Sequence, residues 1–133
     1  MATALSFLPA LILVLIISVQ GTSTGDRCTA SSSIEVQTIN TGEPAGGGDT
    51  VFEVRVKNLC PCSVRDVRLD GGGFATTVEV DPAVFRAADD GGGAYLVNGG
   101  GPIASMATVA FRYAWDHFFQ ITPASLEEDQ CAS

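Results

Sequence analysis

Residues 51–69, V-F-E-V-R-V-K-N-L-C-P-C-S-V-R-D-V-R-L, decide the fold of this chain. In the first part of the stretch three apolar residues alternate with three charged ones, and the alternation returns at Val67 and Leu69. A period of two places apolar side chains on one face of a strand and charges on the other. Asn58 marks a bend between the two parts, and Pro61 separates two cysteines. The stretch therefore predicts two strands of antiparallel sheet joined by a cysteine-containing corner.

The remainder of the chain continues in short alternating stretches that glycine and proline interrupt, without helical periodicity. A distinctive turn is expected at residues 80–86, where Asp81 bonds to the backbone beyond itself and Pro82 presets the bend. Further strands are expected at residues 34–38, 74–80, 94–97, 106–115 and 118–121, and loops at residues 41–49, 87–93 and 98–102, ahead of an acidic tail at 126–130. This pattern predicts an all-β fold, a small antiparallel β-sandwich of about seven strands.

An apolar run without charge occupies residues 5–19, and small residues follow it at 21–25. A membrane-spanning helix needs about 20 apolar residues, so the run is short for a span and typical of a signal peptide. We expect a signal peptide at residues 1–23 and a secreted β-sandwich domain at residues 24–133. The mature protein would then lie in the extracellular space of the tissue, the apoplast in a plant, without membrane insertion. An uncleaved membrane anchor is the alternative.

The charge of the chain is acidic, with 7 Lys and Arg against 15 Asp and Glu, a net charge of −8. All of these residues lie after residue 25, so the expected mature domain carries the whole excess. Such a domain does not attract nucleic acid or anionic membranes, and no nucleic-acid partner is expected. A basic protein surface is the favourable partner, and the plain alternative is that the charge serves solubility.

The chain contains four cysteines, and secretion would allow them to form disulfides. Cys60 and Cys62 flank Pro61 too closely to bond to each other without strain. We therefore expect one of them to bond to Cys28 and the other to Cys131, with the choice left open. A zinc site is the weaker reading, because there is a single C-x-C pair and no histidine close to it in sequence.

The sequence lacks a recognisable catalytic set, so no enzyme, cofactor or metal site is expected. His117 is the one histidine, and its neighbour Asp116 would face the other way on a strand. G-x-S-x-G does not occur. The acidic groups at 89–90 and 127–129 are expected in loops or the tail, where adjacent carboxylates are usually solvated. The run at 89–93 also lacks the D-x-[DN]-x-[DN]-G spacing of a calcium loop.

The aromatic residues near the C-terminal end allow two interpretations. They would form either a flat platform for a sugar ring or a partner, or part of the core. The alternation places Trp115 on the same face as Phe111, which favours the core. The residues concerned are Tyr95, Tyr113, Trp115, Phe118 and Phe119.

A succession of motifs through the expected mature domain resembles the tapetum determinant proteins of plants. The motifs are I-E-V-Q with T-G after Cys28, F-E-V-R-V-K-N-L-C-P-C, V-R-L-D-G-G-G-F, V-D-P-A-V-F-R, Y-L-V-N-G-G-G-P-I and V-A-F-R-Y-A-W. The resemblance implies a secreted, cysteine-rich ligand of a leucine-rich-repeat receptor kinase, specifying tapetal cell fate in anther development. A curved repeat receptor offers a broad concave surface that suits a rigid ligand.

The chain departs from the resemblance at two positions. The family usually carries six cysteines, and here Gly71 and Tyr95 stand where two of them are expected. Their joint absence resembles the loss of one disulfide, which implies that the two positions are neighbours in space and that Phe74 and Leu96 lie on nearby strands.

Two turns that match the family suggest contact residues for a receptor ectodomain, Arg86 and Asn98. Each also has a structural interpretation, since Arg86 can pair with Asp89 or Asp90 and Asn98 tolerates left-handed backbone. The family also looks similar to carbohydrate-binding modules. The alternative function is therefore an extracellular carbohydrate-binding protein that binds cell-wall glycan through Tyr113 and Trp115.

Overall fold

The computed structural model describes residues 28–90 and 92–131. They form seven strands, one short α-helix and one 3₁₀ turn at Asn98–Gly100, so the predicted β-sandwich of about seven strands is confirmed. The expected signal peptide at residues 1–23 lies outside the described residues. The elements are α1 (Ala30–Ser33), β1 (Ile34–Gly46), β2 (Asp49–Asn58), β3 (Cys62–Asp70), β4 (Phe85–Ala87), β5 (Ala94–Val97), β6 (Thr108–Trp115) and β7 (Thr122–Cys131).

The strands form two antiparallel sheets, one in the order β1-β2-β6 and the other in the order β4-β5-β3-β7. The strands of residues 51–69 are therefore not a hairpin, because β2 belongs to the first sheet and β3 to the second. Val54 and Val56 on β2, and Val64 and Val67 on β3, are fully buried. The corner between β2 and β3 carries the chain from one face of the core to the other.

Aromatic rings fill the space between the sheets. The Phe74 ring is central, with centroids 5.1 to 5.7 Å from those of Tyr113, Phe85, Tyr95 and Phe119. Edge-to-face arrangements of this kind are the favoured geometry for such pairs. The predicted turn at 80–86 delivers one of these rings, since the backbone carbonyl of Asp81 accepts the N–H of Phe85 and turns it inward.

The predicted loop at 41–49 is wrong over most of its length, because β1 continues to Gly46. Two register shifts, between Asn40 and Pro44 and between Pro44 and Gly46, absorb the irregular residues. β1 is also an edge strand, and proline is tolerated on sheet edges. Edge position and bulges together explain why a glycine- and proline-rich segment remains paired.

The predicted strand at 74–80 is also wrong, although its residues alternate. The segment crosses the outer edge of β6, where the Thr77 N–H donates to the Ala114 carbonyl and Thr76 Oγ1 accepts the Ala114 N–H. Phe74 turns into the core while Val78 is exposed. The segment therefore covers the edge of β6 without forming a ladder of its own.

The last strand is displaced from its predicted place. It was expected at 118–121, but β7 starts at Thr122 and includes the acidic tail. Arg65 on β3 pairs with the tail, lying 3.3 Å from Glu127 and 3.8 Å from Asp129. The acidic residues at 127–129 therefore belong to β7, an edge strand, and not to a free tail.

Among the described residues, no helix has the length and apolar character that crossing a bilayer requires.

Candidate functional site: the cysteine corner

Two disulfides meet at the corner between β2 and β3. Cys28 is bonded to Cys60 and Cys62 to Cys131, one of the two arrangements that the sequence left open. The Cys62 N–H donates to Cys60 Sγ at 3.3 Å, so the two bonds lie side by side. Their Cα–Cα distances are 5.8 and 4.0 Å. The corner thus ties the start and the end of the described chain to the crossing between the sheets.

Asn58 organises the backbone of the corner from inside, with 1% of its surface exposed. Its side-chain Nδ2 donates to the carbonyls of Cys62 and Ile103, at 2.9 and 3.0 Å, and its Oδ1 accepts the N–H of Cys60 at 2.9 Å. Its backbone N–H and carbonyl bond to Ala107 and Met106. A single buried amide therefore satisfies three backbone polar groups from two segments, residues 60–62 and Ile103.

Residues 103–107 form the second wall of the corner. Ile103 exchanges two backbone hydrogen bonds with Val64, and Ser105 Oγ donates to the Cys60 carbonyl at 2.6 Å. The Met106 N–H donates to the Asn58 carbonyl at 2.7 Å. These bonds hold residues 103–107 directly against the C-P-C stretch, although about 45 residues separate them in sequence.

Apolar side chains are exposed on the outer surface of the corner. Leu59 and Met106 are 41% and 56% exposed, and Pro61 between the cysteines is also exposed. Met106 has a φ of 66°, in the left-handed region that bulky residues seldom occupy. We call Leu59, Pro61 and Met106 the corner tip.

The carboxylate of Glu128 lies beside both disulfides. Its Oε2 accepts the Cys28 N–H at 2.8 Å, and its Oε1 lies 3.6 Å from Cys131 Sγ. Glu128 and the cysteines come close enough to one another to form metal-binding groups among the described residues. Because all four sulfurs are bonded in pairs, they offer no thiolate to a metal in this state.

Arg86 and Asn98, expected as receptor contacts, lie on neighbouring segments of the chain. Arg86 is on β4 and Asn98 follows β5, and the Asn98 N–H donates to the Val84 carbonyl at 2.7 Å. Arg86 Nη1 lies 3.6 Å from Asp89 Oδ1, which is the local pairing that the sequence suggested. Asn98 has a φ of 57°, and its Nδ2 donates to the Pro102 carbonyl at 3.1 Å. Both side chains therefore make local contacts, and their role as receptor contacts stays a prediction.

His117 is placed differently from the prediction, because β6 ends at Trp115 and the next residues bend. Asp116 and His117 therefore do not face opposite ways, and Asp116 Oδ1 is hydrogen bonded to His117 Nδ1. Both side chains are mostly exposed. Within the described residues this pair has no hydroxyl or thiol hydrogen bonded to the imidazole, so it offers an acid–base pair without a nucleophile.

The aromatic platform does not form. Tyr113 is fully buried, and its Oη accepts the Phe119 N–H at 3.0 Å. Burial raises the pKa of the Tyr113 phenol, and the hydrogen bond from Phe119 acts in the opposite direction. Trp115 is half-buried and Phe119 is buried, which leaves Phe118, 54% exposed, as an isolated ring. Tyr113 and Trp115 therefore cannot stack together on a sugar.

Each arginine of the described residues forms an ion pair with a carboxylate. Glu53 contacts Arg55 and Arg112 at 2.7 and 3.1 Å, and these hydrogen bonds lower the pKa of its carboxyl, Arg55 contributing most. The N–H of Gly92 and the Arg68 guanidinium lower the pKa of Asp90. The arginines paired with carboxylates are Arg55, Arg65, Arg68, Arg86 and Arg112. The described surface therefore presents free carboxylates and little free positive charge.

Gly71 and Tyr95 are neighbours, as inferred from the missing cysteines. A Cβ placed on Gly71 would lie 2.6 Å from Tyr95 Cε1, and Leu69 stands opposite Tyr95 in the β3–β5 ladder. The Tyr95 ring stacks on that of Phe85, with centroids 4.9 Å apart. An aromatic contact thus occupies the place of the expected disulfide, although Phe74 is not on a strand.

The chain is similar in sequence to a known protein family and to plant proteins. The family described as "Tapetum determinant 1, C-terminal" matches residues 30–131. An Arabidopsis thaliana protein described as uncharacterized is 37% identical over 75 residues, covering 56% of this chain and 58% of the relative. A rice protein named "TPD1 protein homolog 1B" is 29% identical over 102 residues, covering 76% of this chain and 58% of the relative. This chain thus spans somewhat more than half the length of these relatives. No solved structure matches it.

Proposed function

This chain belongs to the tapetum determinant family, and from that membership we propose that it is a secreted protein ligand for a leucine-rich-repeat receptor kinase. Membership suggests a role in tapetum development. The finer assignment, a ligand that specifies cell fate in the anther from the extracellular space, is our proposal. The observation that carries it is the family match across residues 30–131, which includes nearly all of the described sandwich.

The cross-linked architecture supports this proposal. Two disulfides bind the crossing between the sheets to the first and last described segments. Disulfides of this kind are typical of small extracellular domains and persist in oxidising compartments. A rigid ligand loses little conformational freedom on binding, which favours affinity for a preformed receptor surface.

The acidic surface supports a basic protein partner over nucleic acid or an anionic membrane. The net charge is −8, and the described arginines are engaged with carboxylates. Complementary charge accelerates encounter and selects partners more than it adds affinity. We therefore expect the receptor surface to be positively charged where the ligand approaches.

Direct binding tests the proposal. Purified, oxidised, secreted protein is titrated against a panel of leucine-rich-repeat receptor kinase ectodomains, with cell-wall glucans and xylans alongside. Saturable binding to one ectodomain, lost after the disulfides are reduced, is the expected result. Absence of binding to every ectodomain, or binding to a glycan alone, contradicts the proposal. Glycan binding through Tyr113 and Trp115 is not proposed, because Tyr113 is buried.

A further inference from the structure

The described residues leave four large hydrophobic side chains exposed, and two of them share the cysteine corner. Leu59 and Met106 belong to segments joined by hydrogen bonds at Asn58, whereas Val78 and Phe118 lie elsewhere. Scattered apolar side chains are normal on a protein surface, but grouped ones mark interaction sites. The corner tip is therefore the feature of this surface that most needs a partner.

The tip is held rigidly from beneath. Leu59 lies between Asn58, whose amide makes three buried hydrogen bonds, and Cys60, which is bonded to Cys28. The Leu59 N–H also donates to the Ser33 carbonyl at 2.7 Å. An apolar surface fixed in this way loses little side-chain and loop entropy when it is buried.

The backbone of Met106 is held in a conformation that methionine itself disfavours. Its φ of 66° suits glycine or asparagine, yet the residue is a long apolar one with more than half of its surface exposed. Backbone strain at an exposed position persists where the surroundings impose it, and it is often associated with function. Methionine is also enriched at protein interfaces because its side chain adapts to the partner.

Charge indicates what covers the tip. Glu128 accepts the Cys28 N–H beside the Cys28–Cys60 disulfide, and Glu35 on β1 stands opposite Lys57, so these neighbours of the corner carry two carboxylates and one cation. The molecule as a whole carries −8, so two copies of this chain repel each other. A complementary surface has an apolar pocket for Leu59 and Met106, surrounded by Lys and Arg side chains.

We propose that the corner tip, Leu59, Pro61 and Met106, is the surface by which this protein docks onto its receptor, in an apolar pocket with a basic rim. This inference rests on the proposed function as a receptor ligand and adds the place and chemistry of the contact. It assigns the contact to residues other than Arg86 and Asn98, whose side chains contact Asp89 and the Pro102 carbonyl.

The test uses the full secreted chain and the receptor ectodomain that binds it. Met106→Asn removes the apolar side chain while relieving the left-handed backbone, because asparagine tolerates that conformation. Leu59→Ser removes the second apolar group. Each change is expected to weaken binding by about tenfold or more, as for a buried interface residue. Met106→Leu retains an apolar side chain and should bind like the native protein.

Phe118→Ser is the matched control. Phe118 is as exposed as Met106, but it follows the opposite end of β6, roughly 25 Å away along the strand. This variant should bind with native affinity. Thermal unfolding of each variant verifies that folding is intact, and Met106→Asn should melt no lower than the native protein.

The outcomes separate the two proposals. If the native protein binds an ectodomain and both tip variants bind equally well, the tip is not the docking surface, while the receptor function stands. If Phe118→Ser loses binding and the tip variants do not, the contact lies at the other end of β6. If the native protein binds no ectodomain, both proposals fall. Native binding should also weaken with increasing salt, and salt-independent binding contradicts the basic rim.

Discussion

At the scale of single residues, Asn58 is the buried polar group on which the corner depends. Asn58→Ala would leave the Cys60 N–H and the carbonyls of Cys62 and Ile103 without their partner. An unsatisfied buried group costs about 1–3 kcal/mol, and relaxation recovers part of the sum, so we expect a loss of roughly 3 kcal/mol. Urea unfolding measures it.

An exposed asparagine provides the control for this loss. Asn40 also bonds to backbone through its side chain, accepting the Gly42 N–H, but it lies at the surface. Asn40→Ala should change the free energy of unfolding by no more than about 0.5 kcal/mol. Equal losses for the two variants would show that Asn58 has no special role.

The paired carboxylates make stability fall in acid. The pKa values of Glu53 and Asp90 are lowered in the folded state, by Arg55 and Arg112 for Glu53, and by the Gly92 N–H and Arg68 for Asp90. A lowered folded-state pKa gives stability that is present above the unfolded pKa, about 4, and is lost as the pH falls through the folded value.

We therefore expect the melting temperature to fall as the pH is lowered from 5 towards 2, and Glu53→Gln to flatten this dependence. Thermal unfolding across the series measures it. Glu79→Gln is the control, since Glu79 is exposed and forms no ion pair within the described residues. A Glu53→Gln profile that coincides with the native one would contradict the prediction.

At the scale of elements, introducing cysteines at the two positions where the family carries them tests the pairing of β3 with β5. Gly71→Cys together with Tyr95→Cys replaces a ring contact with two thiols at adjacent sites, and Gly71 does not have the positive φ that would exclude a side chain. We expect a third disulfide. Closing this loop contributes about 3 kcal/mol, and the lost Tyr95–Phe85 stacking subtracts about 1 kcal/mol.

Intact mass and thiol titration detect the new bond, and reduction should cancel the gain in melting temperature. Tyr95→Cys alone is the control, because it removes the ring without supplying a partner and should lower the melting temperature. Two persistently free thiols in the double variant would show that the ends of β3 and β5 are held apart.

The sequence predicts some elements of this fold better than others, and the burial of their side chains explains the difference. The strands at 51–58 and 62–70 lie inside their sheets, and edge strand β6 buries Phe111 and Tyr113, so burial imposes alternation on all three. β1 and β7 are edge strands with polar and irregular residues that their partners tolerate. Residues 74–80 alternate between apolar and polar side chains but do not pair as a strand. They cover the edge of β6 through hydrogen bonds of Thr76 and Thr77 to Ala114.

At the scale of the whole molecule, the candidate site depends on contacts that the sequence does not reveal. Cysteine spacing with Pro61 limits the disulfides to two arrangements, but the choice requires the fold. The corner tip arises because Met106 meets Asn58 across almost fifty residues. Arg86 and Asn98 were predicted from their turns, and the same turns explain them structurally. Asn58 and the C-P-C stretch that follows it were the local signs of the corner.

The two disulfides should separate stability from binding. Cys62–Cys131 closes a loop of 69 residues and secures edge strand β7, whereas Cys28–Cys60 closes 32 residues and adjoins the tip at Leu59. Loop-closure entropy gives about 4.4 kcal/mol for the longer loop and about 3.7 kcal/mol for the shorter. Replacing both cysteines of a pair by serine avoids a free thiol.

We expect the Cys62→Ser, Cys131→Ser protein to lose more free energy of unfolding, and the Cys28→Ser, Cys60→Ser protein to lose more receptor affinity. Urea unfolding and ectodomain binding are measured on both proteins, at a temperature where each is folded. If the same protein loses more in both measurements, the loss of receptor affinity merely follows the loss of stability. The expected result, with a different protein most affected in each measurement, requires that Cys62–Cys131 mainly stabilises the sheet and that Cys28–Cys60 mainly holds the contact surface in place.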